Sequence, residues 1–131
     1  DATLNPGGVR IGTAEVYRIV DSLPEIKESL VVGQKWKGDT RIVLFIVMSE
    51  QGKLDDQLRS KICDALKYGA SPRHVPAIIV DTPDLPRTRS GKISELAARD
   101  AIEGRPIKNT EALANPEALE YFYGREELVG D

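Results

Sequence analysis

The sequence DLPRTRSGKI, residues 84–93, decides how the rest of this chain is interpreted. Pro86 fixes one backbone angle and has no amide to donate, while Gly91 frees the backbone near the other end, so the stretch is predicted to be a loop. Three cations, two hydroxyls and a glycine suit an anion such as a phosphate group. A Walker-type phosphate loop is excluded, because its first glycine and final hydroxyl positions hold Pro86 and Ile93. The open alternative is a basic turn that is only solvated.

Two stretches of the chain together resemble a known family. Residues 85–92 resemble the C-terminal lysine motif of the adenylate-forming enzymes, the acyl-CoA synthetases and their relatives. Residues 8–15 resemble the glycine-arginine loop that opens the same C-terminal domain, and the two motifs occur in the family's order and at about its spacing. The ends of the chain, around residues 1–8 and 109–123, are similar to the branch of the family that activates acetoacetate. The resemblance covers essentially the whole chain.

Length and composition bound the possibilities. A chain of 131 residues with 40% hydrophobic and 30% charged residues suits one globular domain with a modest core. The net charge of -3 argues against general nucleic-acid binding, so the basic loop is a local feature. The single cysteine, Cys63, allows no internal disulfide and predicts a reducing, cytoplasmic setting. No apolar run of membrane-spanning length and no signal peptide is visible, and the start at Asp1 without a methionine suggests a piece of a longer polypeptide.

The apolar pattern predicts short strands alternating with amphipathic helices. The apolar, β-branched run from 42 to 48 is typical of a central strand buried on both faces. In chain order we expect a hairpin within 1–12, a helix at 14–22 capped by Thr13, strands at 26–36 and 41–48, a helix at 54–68, a strand at 77–80, a helix at 94–103 and a short helix ending at Gly124. This order predicts an α+β fold, with a small, mainly antiparallel sheet of about three strands plus an N-terminal hairpin, flanked by helices. The domain is expected to span 1–108, with a C-terminal extension, 109–131, packed on it.

Two local predictions concern the residues after the loop. The helix that follows the loop is expected to bury Ile93, Leu96, Ala97 and Ala101. Asn115 is expected to cap the last short helix, because asparagine followed by proline and an acid is typical of a helix start.

The resemblance implies a reaction and a role for Lys92. A carboxylate would attack the α-phosphorus of MgATP, and the thiol of coenzyme A would then displace AMP to give a thioester. Lys92 matches the adenylation lysine, whose ammonium would bridge the α-phosphate and the attacking carboxylate. ATP with Mg²⁺ and coenzyme A are the implied cofactors, and a larger N-terminal adenylation domain is the implied partner. The alternative for Lys92 is an exposed loop lysine without a role.

Roles near the chain start are also implied by the resemblance. Gly8 matches a glycine beside the tunnel for the pantetheine arm of coenzyme A, although it could serve turn geometry alone. Arg10 matches an arginine near the nucleotide phosphate, with structural pairing to Glu15 or another acid as an equal alternative. Asp1 matches the hinge position of the family.

Three further side chains complete the candidates. Lys67 and Arg73 lie near the position where relatives hold the 3′-phosphate of coenzyme A, and both could equally be solvated charges. His74 is the only histidine, so neither a metal site nor a nucleophile pair is expected around it, and we expect a loop histidine with a local hydrogen bond.

A function of another class stays open at this point. A stand-alone α+β binding module could use residues 87–92 to hold a phosphate-bearing ligand or RNA. That hypothesis predicts measurable affinity by the isolated chain, whereas the enzyme hypothesis predicts little affinity and no turnover without the larger domain. The enzyme hypothesis expects small-molecule substrates, and neither nucleic acid nor a membrane as a partner.

Overall fold

The computed structural model describes residues 3–50, 52–107 and 110–129, which form helices around two small sheets. In chain order the strands and α-helices are β1 (Thr3–Leu4), β2 (Ile11–Gly12), α1 (Thr13–Val20), β3 (Ile26–Trp36), β4 (Asp39–Met48), α2 (Asp56–Gly69), β5 (Ile78–Asp81), α3 (Glu95–Ile102) and α4 (Glu126–Val129). Short 3₁₀ turns lie at Pro6–Gly8, Pro72–His74, Thr110–Ala112 and Pro116–Tyr121. The predicted order of elements and the α+β class are confirmed.

The main sheet has the strand order β3-β4-β5. Strands β3 and β4 form an antiparallel hairpin, which turns at Lys37 and Gly38, both with positive φ. Strand β4 is central and buried from Ile42 to Val47, as its continuous apolar run predicts. Strand β5 pairs with β4 in parallel, a detail that the sequence pattern did not predict; the chain reaches it through the crossover helix α2.

Alternating side chains of the sheet feed two separate cores. Helices α1 and α2 cover one face, which buries Val31, Leu44 and Ile46 among others. Helix α3 and the C-terminal segment, residues 110–129, cover the other face, which buries Leu30 and Phe45. Because successive strand residues point to opposite faces, both layers are fixed by the same three strands. No helix among the described residues is long and apolar enough to span a membrane.

Two predicted details near the helices are wrong. Thr13 does not cap α1; it is the first helical residue, because the preceding Gly12 belongs to β2 and supplies the extended cap position. Leu96 does not join the buried face of α3, since it is 61% exposed. The arc of α3 that meets the sheet is formed instead by Ala97, Ala98, Ala101 and Ile102.

The C-terminal segment packs as a cover over one face of the sheet. Its short predicted helix is a 3₁₀ helix, Pro116–Tyr121, followed by the single turn α4. Phe122 is fully buried, with its ring centroid 4.4 Å from that of Phe45. Gln34 donates from Nε2 to the carbonyl of Leu128, which ties the segment to β3. The division of the chain at 108 and 109 falls on residues outside the described part, so it stays a prediction.

Candidate active site

Residues 86–94, which we call the lysine loop, form a tight hairpin. Arg87 and Ile93 are bridged in antiparallel fashion, and the Thr88 amide donates to the carbonyl of Lys92 at 2.7 Å. The Thr88 hydroxyl accepts from the Lys92 amide at 3.2 Å, and Gly91 supplies the positive φ of 91° that closes the turn. The predicted loop is therefore ordered by its own hydroxyls and backbone. Lys92 is exposed on the arm that follows the turn.

The three cations of the loop have different fates. Arg87 forms a half-buried ion pair with Glu28 of β3, and Arg89 donates from Nε to the carbonyl of Glu111 at 2.6 Å. Among the described residues, the Lys92 ammonium has no hydrogen-bond or ion-pair partner. Two of the three cations thus hold the loop in place, and one remains available to a ligand.

The Lys92 side chain borders an open groove of about 910 Å³ between α1, β3 and the start of α3. Tyr17 and Glu95 lie in this groove: the Tyr17 hydroxyl donates to the Glu95 carboxylate and accepts from the Val31 amide at 3.1 Å. Burial, reinforced by the bond to Glu95, raises the pKa of Tyr17 well above its usual value. The phenol therefore stays protonated and holds Glu95 near the lysine loop. Sequence reasoning missed both residues, because no local pattern joins positions 17 and 95.

Residues 5–12, which we call the glycine loop, lie elsewhere on the sheet. Gly7 and Gly8 both have positive φ, and the Gly7 amide donates to Asp39 Oδ1 at 3.2 Å. A Cβ added to Gly8 would meet nothing within 4 Å, so the loop is exposed and uncrowded. Gly8 thus meets a turn requirement, and its tunnel role stays a prediction.

Arg10 is exposed and does not pair with Glu15. The Glu15 carboxylate instead binds Arg18 at 2.7 Å, and this hydrogen bond lowers the pKa of Glu15. The structural alternative for Arg10 through Glu15 is therefore wrong, whereas its predicted contact with a nucleotide phosphate is untested.

The two loops lie at opposite ends of β3. The lysine loop is attached through Glu28, near the start of the strand, whereas the glycine loop is attached through Asp39, which pairs with Trp36 at the strand's end. At about 3.3 Å per residue, the stretch of strand between Glu28 and Trp36 is roughly 26 Å long. The attachment points of the two loops are thus far apart on β3, although Thr13, which directly follows the glycine loop, lines the groove that Lys92 borders.

The remaining candidates lie around the end of α2. Lys67 is exposed in the last turn of α2, with its ammonium 5.3 Å from the Tyr68 ring centroid. Arg73 is exposed in the turn Pro72–His74, and the Ser71 hydroxyl lies 2.7 Å from His74 Nδ1, the local bond expected for a loop histidine.

The hinge candidate, Asp1, lies outside the described residues. In the part of the chain that the structure describes, no group of three or more His, Cys, Asp or Glu side chains could hold a metal ion.

Comparison with known proteins decides the family. Residues 15–92 match the family of the AMP-binding enzyme C-terminal domain, a match that ends on Lys92. This chain belongs to that family. Its lysine loop is thus the final matched segment of an AMP-binding C-terminal domain, and the resemblance seen in the sequence is confirmed.

Relatives of the chain share one name. It is 57% identical to the acetoacetyl-coenzyme A synthetase of Rhizobium meliloti (strain 1021), over 98% of this chain and 20% of that protein. It is 41% identical to the acetoacetyl-CoA synthetase of Xenopus tropicalis, over 98% of this chain and 19% of that protein. The chain thus spans about a fifth of the length of these relatives.

Solved structures agree with the fold. The acetoacetyl-CoA synthetase from Streptomyces lividans superposes with a TM-score of 0.83 at 34% identity, over 93% of this chain and 18% of that chain. An acyl-CoA synthetase of Brucella canis superposes with a TM-score of 0.72 at 25% identity, over 77% of this chain and 19% of that chain.

Proposed function

We propose that this chain is the mobile C-terminal domain of an AMP-forming acid–thiol ligase that converts acetoacetate, or a similar short acid, to its coenzyme A thioester. The observation that carries the proposal is the lysine loop: its two arginines are engaged in fixing the loop, and Lys92 is exposed on the arm that follows the turn. The names of the relatives support acetoacetate as the acid. The acid pocket itself would belong to a larger N-terminal domain.

Lys92 would serve the first half-reaction. An oxygen of the acid forms a bond to the α-phosphorus of ATP while the bond to pyrophosphate breaks, and negative charge accumulates on the phosphoryl oxygens. A compact ammonium offsets that charge and draws the carboxylate towards the phosphate, which arginine's planar fork would do less well. We expect Mg²⁺ to accompany ATP and to be held by the nucleotide and the larger domain.

Gly8 would serve the second half-reaction. The coenzyme A thiol loses its proton and attacks the acyl carbonyl carbon, and AMP leaves with the electrons of the broken carbon–oxygen bond. The absence of a side chain on Gly8 would leave room for the pantetheine arm beside the glycine loop. Arg10 would contact the nucleotide phosphate, while Lys67 and Arg73 would offer positive charge to the 3′-phosphate of coenzyme A.

A change of domain orientation would link the two steps. The attachment of the lysine and glycine loops at opposite ends of β3 supports this proposal, in which one orientation presents Lys92 and the other presents Gly8. Rotation about a hinge at Asp1 would exchange them. We propose a cytoplasmic enzyme whose partner is its own adenylation domain, with no nucleic-acid or membrane partner.

The test is an assay of the longer polypeptide beside the isolated 131-residue chain. With acetoacetate, MgATP and coenzyme A, the longer polypeptide should release AMP and pyrophosphate and form the thioester, and the isolated chain should do neither. Acetate and benzoate, supplied separately, would report the acid preference. Turnover by the isolated chain would contradict the proposal, and so would a longer polypeptide that activates none of these acids.

A phosphate-binding or RNA-binding module is less well supported. That hypothesis relied on three cations in one loop, and Arg87 and Arg89 are committed to Glu28 and to the carbonyl of Glu111. One free ammonium makes a weak anion site, so the isolated chain should show no measurable affinity for inorganic phosphate or a short RNA.

A further inference from the structure

Asn115 occupies a capping position but does not cap its own helix. It precedes the 3₁₀ helix Pro116–Tyr121 at the N-cap position, and its side chain makes no capping hydrogen bond there, contrary to the prediction from sequence. Asparagine is favoured at this position because its side chain usually satisfies a free amide of the helix. Here the side chain is used for something else.

The Asn115 amide is directed entirely at the start of the lysine loop. Oδ1 accepts from the Arg87 amide at 2.8 Å, and Nδ2 donates to the Leu85 carbonyl at 2.8 Å and to Asp84 Oδ2 at 3.1 Å. One half-buried side chain therefore fixes the backbone at Leu85 and Arg87 with two hydrogen bonds and holds the Asp84 carboxylate with a third.

The residues just before Asn115 extend this attachment into a ladder. The Ala114 amide donates to the Arg87 carbonyl at 2.8 Å, the Arg89 amide donates to the Ala112 carbonyl at 3.2 Å, and Thr88 is bridged to Leu113. Thr88 also bonds to Lys92 across the hairpin, so residues 112–115 form a third strand beside the two arms of the lysine loop. Leu113 anchors this strand, which we call the brace, in the core at 5% exposure.

From this geometry we infer that the brace positions Lys92 for adenylation, and that Asn115 is its positioning residue. The inference rests on the proposed role of Lys92. The family match ends at Lys92, so the brace lies beyond the matched residues. A flexible lysine on an exposed hairpin would sample many positions, and the brace restricts its backbone before the substrates arrive.

The experiment compares Asn115→Ala with Glu117→Ala in the full-length polypeptide. Glu117 is exposed in the same 3₁₀ helix and does not take part in the brace, which makes it the matched control. Asn115→Ala should slow acid-dependent ATP–pyrophosphate exchange by about 10- to 100-fold, the scale expected for a misplaced catalytic group. Thioester formation from a supplied acyl-adenylate should be unchanged, and amide exchange in residues 86–92 should become faster.

A reciprocal swap separates positioning from folding. Asn115→Asp sets two carboxylates against each other at Asp84 and should impair pyrophosphate exchange more than Asn115→Ala does. In the double variant with Asp84→Asn, the new amide at residue 84 can donate to the new carboxylate at residue 115. The double variant should therefore recover part of the lost rate of pyrophosphate exchange. Recovery would not be expected if Asn115 had only general packing value.

Two results would overturn the inference. One is an Asn115→Ala protein with normal pyrophosphate exchange and normal amide exchange in the loop. The other is equal loss of both half-reactions with a lowered melting temperature, which would make Asn115 a structural residue only. Lys92→Ala is assayed in parallel: if that variant adenylates normally, the proposed function fails, while amide exchange in Asn115→Ala still decides whether the brace orders the loop.

Discussion

The lysine loop and the glycine loop carry the two principal candidate residues, and they are held in opposite ways. The lysine loop is fixed by an ion pair to β3, by a backbone ladder and by the Asn115 amide. The glycine loop is held by its own 3₁₀ turn, by the exposed hydrogen bond from the Gly7 amide to Asp39, and at its end by the pairing of β2 with β1. The lysine loop is thus fixed by contacts with β3 and with residues 112–115, whereas the turn at Gly7 and Gly8 is exposed and makes few contacts.

The difference follows from what each loop is proposed to do. A charge that stabilises a transition state contributes most when it is already in position, because no reorganisation is then needed during the reaction. A passage for a flexible substrate arm needs open space, which glycine provides by lacking a side chain. Within one small domain, order is therefore concentrated where charge is required.

The largest effect on adenylation is expected at Lys92 of the lysine loop. Lys92→Arg keeps the positive charge but replaces a compact ammonium with a longer, planar group, so we expect adenylation to fall by about 100-fold, the scale for a lost preorganised contact. Lys27→Arg is the matched control, because it makes the same exchange at an exposed lysine of β3 that does not line the groove. Pyrophosphate exchange measures both variants. Equal rates of pyrophosphate exchange for Lys92→Arg and the unaltered enzyme would show that adenylation does not need a compact ammonium at this residue.

A smaller effect is expected where the lysine loop is attached to β3. Arg87→Ala leaves the half-buried Glu28 carboxylate without its partner, which should lower the free energy of unfolding by about 1.5–3 kcal/mol. Glu28→Gln retains an acceptor and should cost less. Urea unfolding of both variants gives the comparison, and the prediction is wrong if Glu28→Gln is the more damaging change.

The fold and the site were predictable from sequence to different degrees. The buried strand β4 followed from its unbroken apolar run, and the loop at 84–93 followed from Pro86 and Gly91, because local backbone chemistry decides both. The pairing of Arg87 with Glu28 and the bonds of Asn115 to the loop join residues far apart in the chain. No local periodicity encodes such contacts, so the lysine was found and the groups that hold it were not.

Tyr17 offers a pH test of the groove beside Lys92. Tyr17→Phe removes the hydroxyl that binds Glu95 and the Val31 amide, which should lower the free energy of unfolding by about 1–2 kcal/mol. Because burial raises the pKa of Tyr17, its contribution is complete below its ordinary pKa of 10.0 and is lost as the pH rises above that value. The difference between the two proteins should therefore shrink from pH 8 to pH 11. A difference that grows over this range would contradict the raised pKa.

The smallest effect is expected at the glycine loop's attachment. Asp39→Ala removes the acceptor for the Gly7 and Thr40 amides on an exposed surface, so the free energy of unfolding should fall by less than about 1 kcal/mol. Asp39→Asn keeps the oxygen and serves as the control. Pyrophosphate exchange should be normal in both variants, and a large loss of adenylation in either would mean that the two loops are not independent.

The most direct test measures both half-reactions on Lys92→Ala and Gly8→Leu in the full-length enzyme. Lys92→Ala should lose pyrophosphate exchange by about 100- to 1,000-fold and still convert a supplied acyl-adenylate to thioester. Gly8→Leu should retain pyrophosphate exchange and fail in the thioester step, because a side chain would fill the proposed passage. Gly8→Ala, which imposes the same strain at a positive φ with a much smaller side chain, controls for disturbance of the loop itself. Equal damage to both half-reactions in each variant would contradict the account, in which two differently held loops serve two different steps.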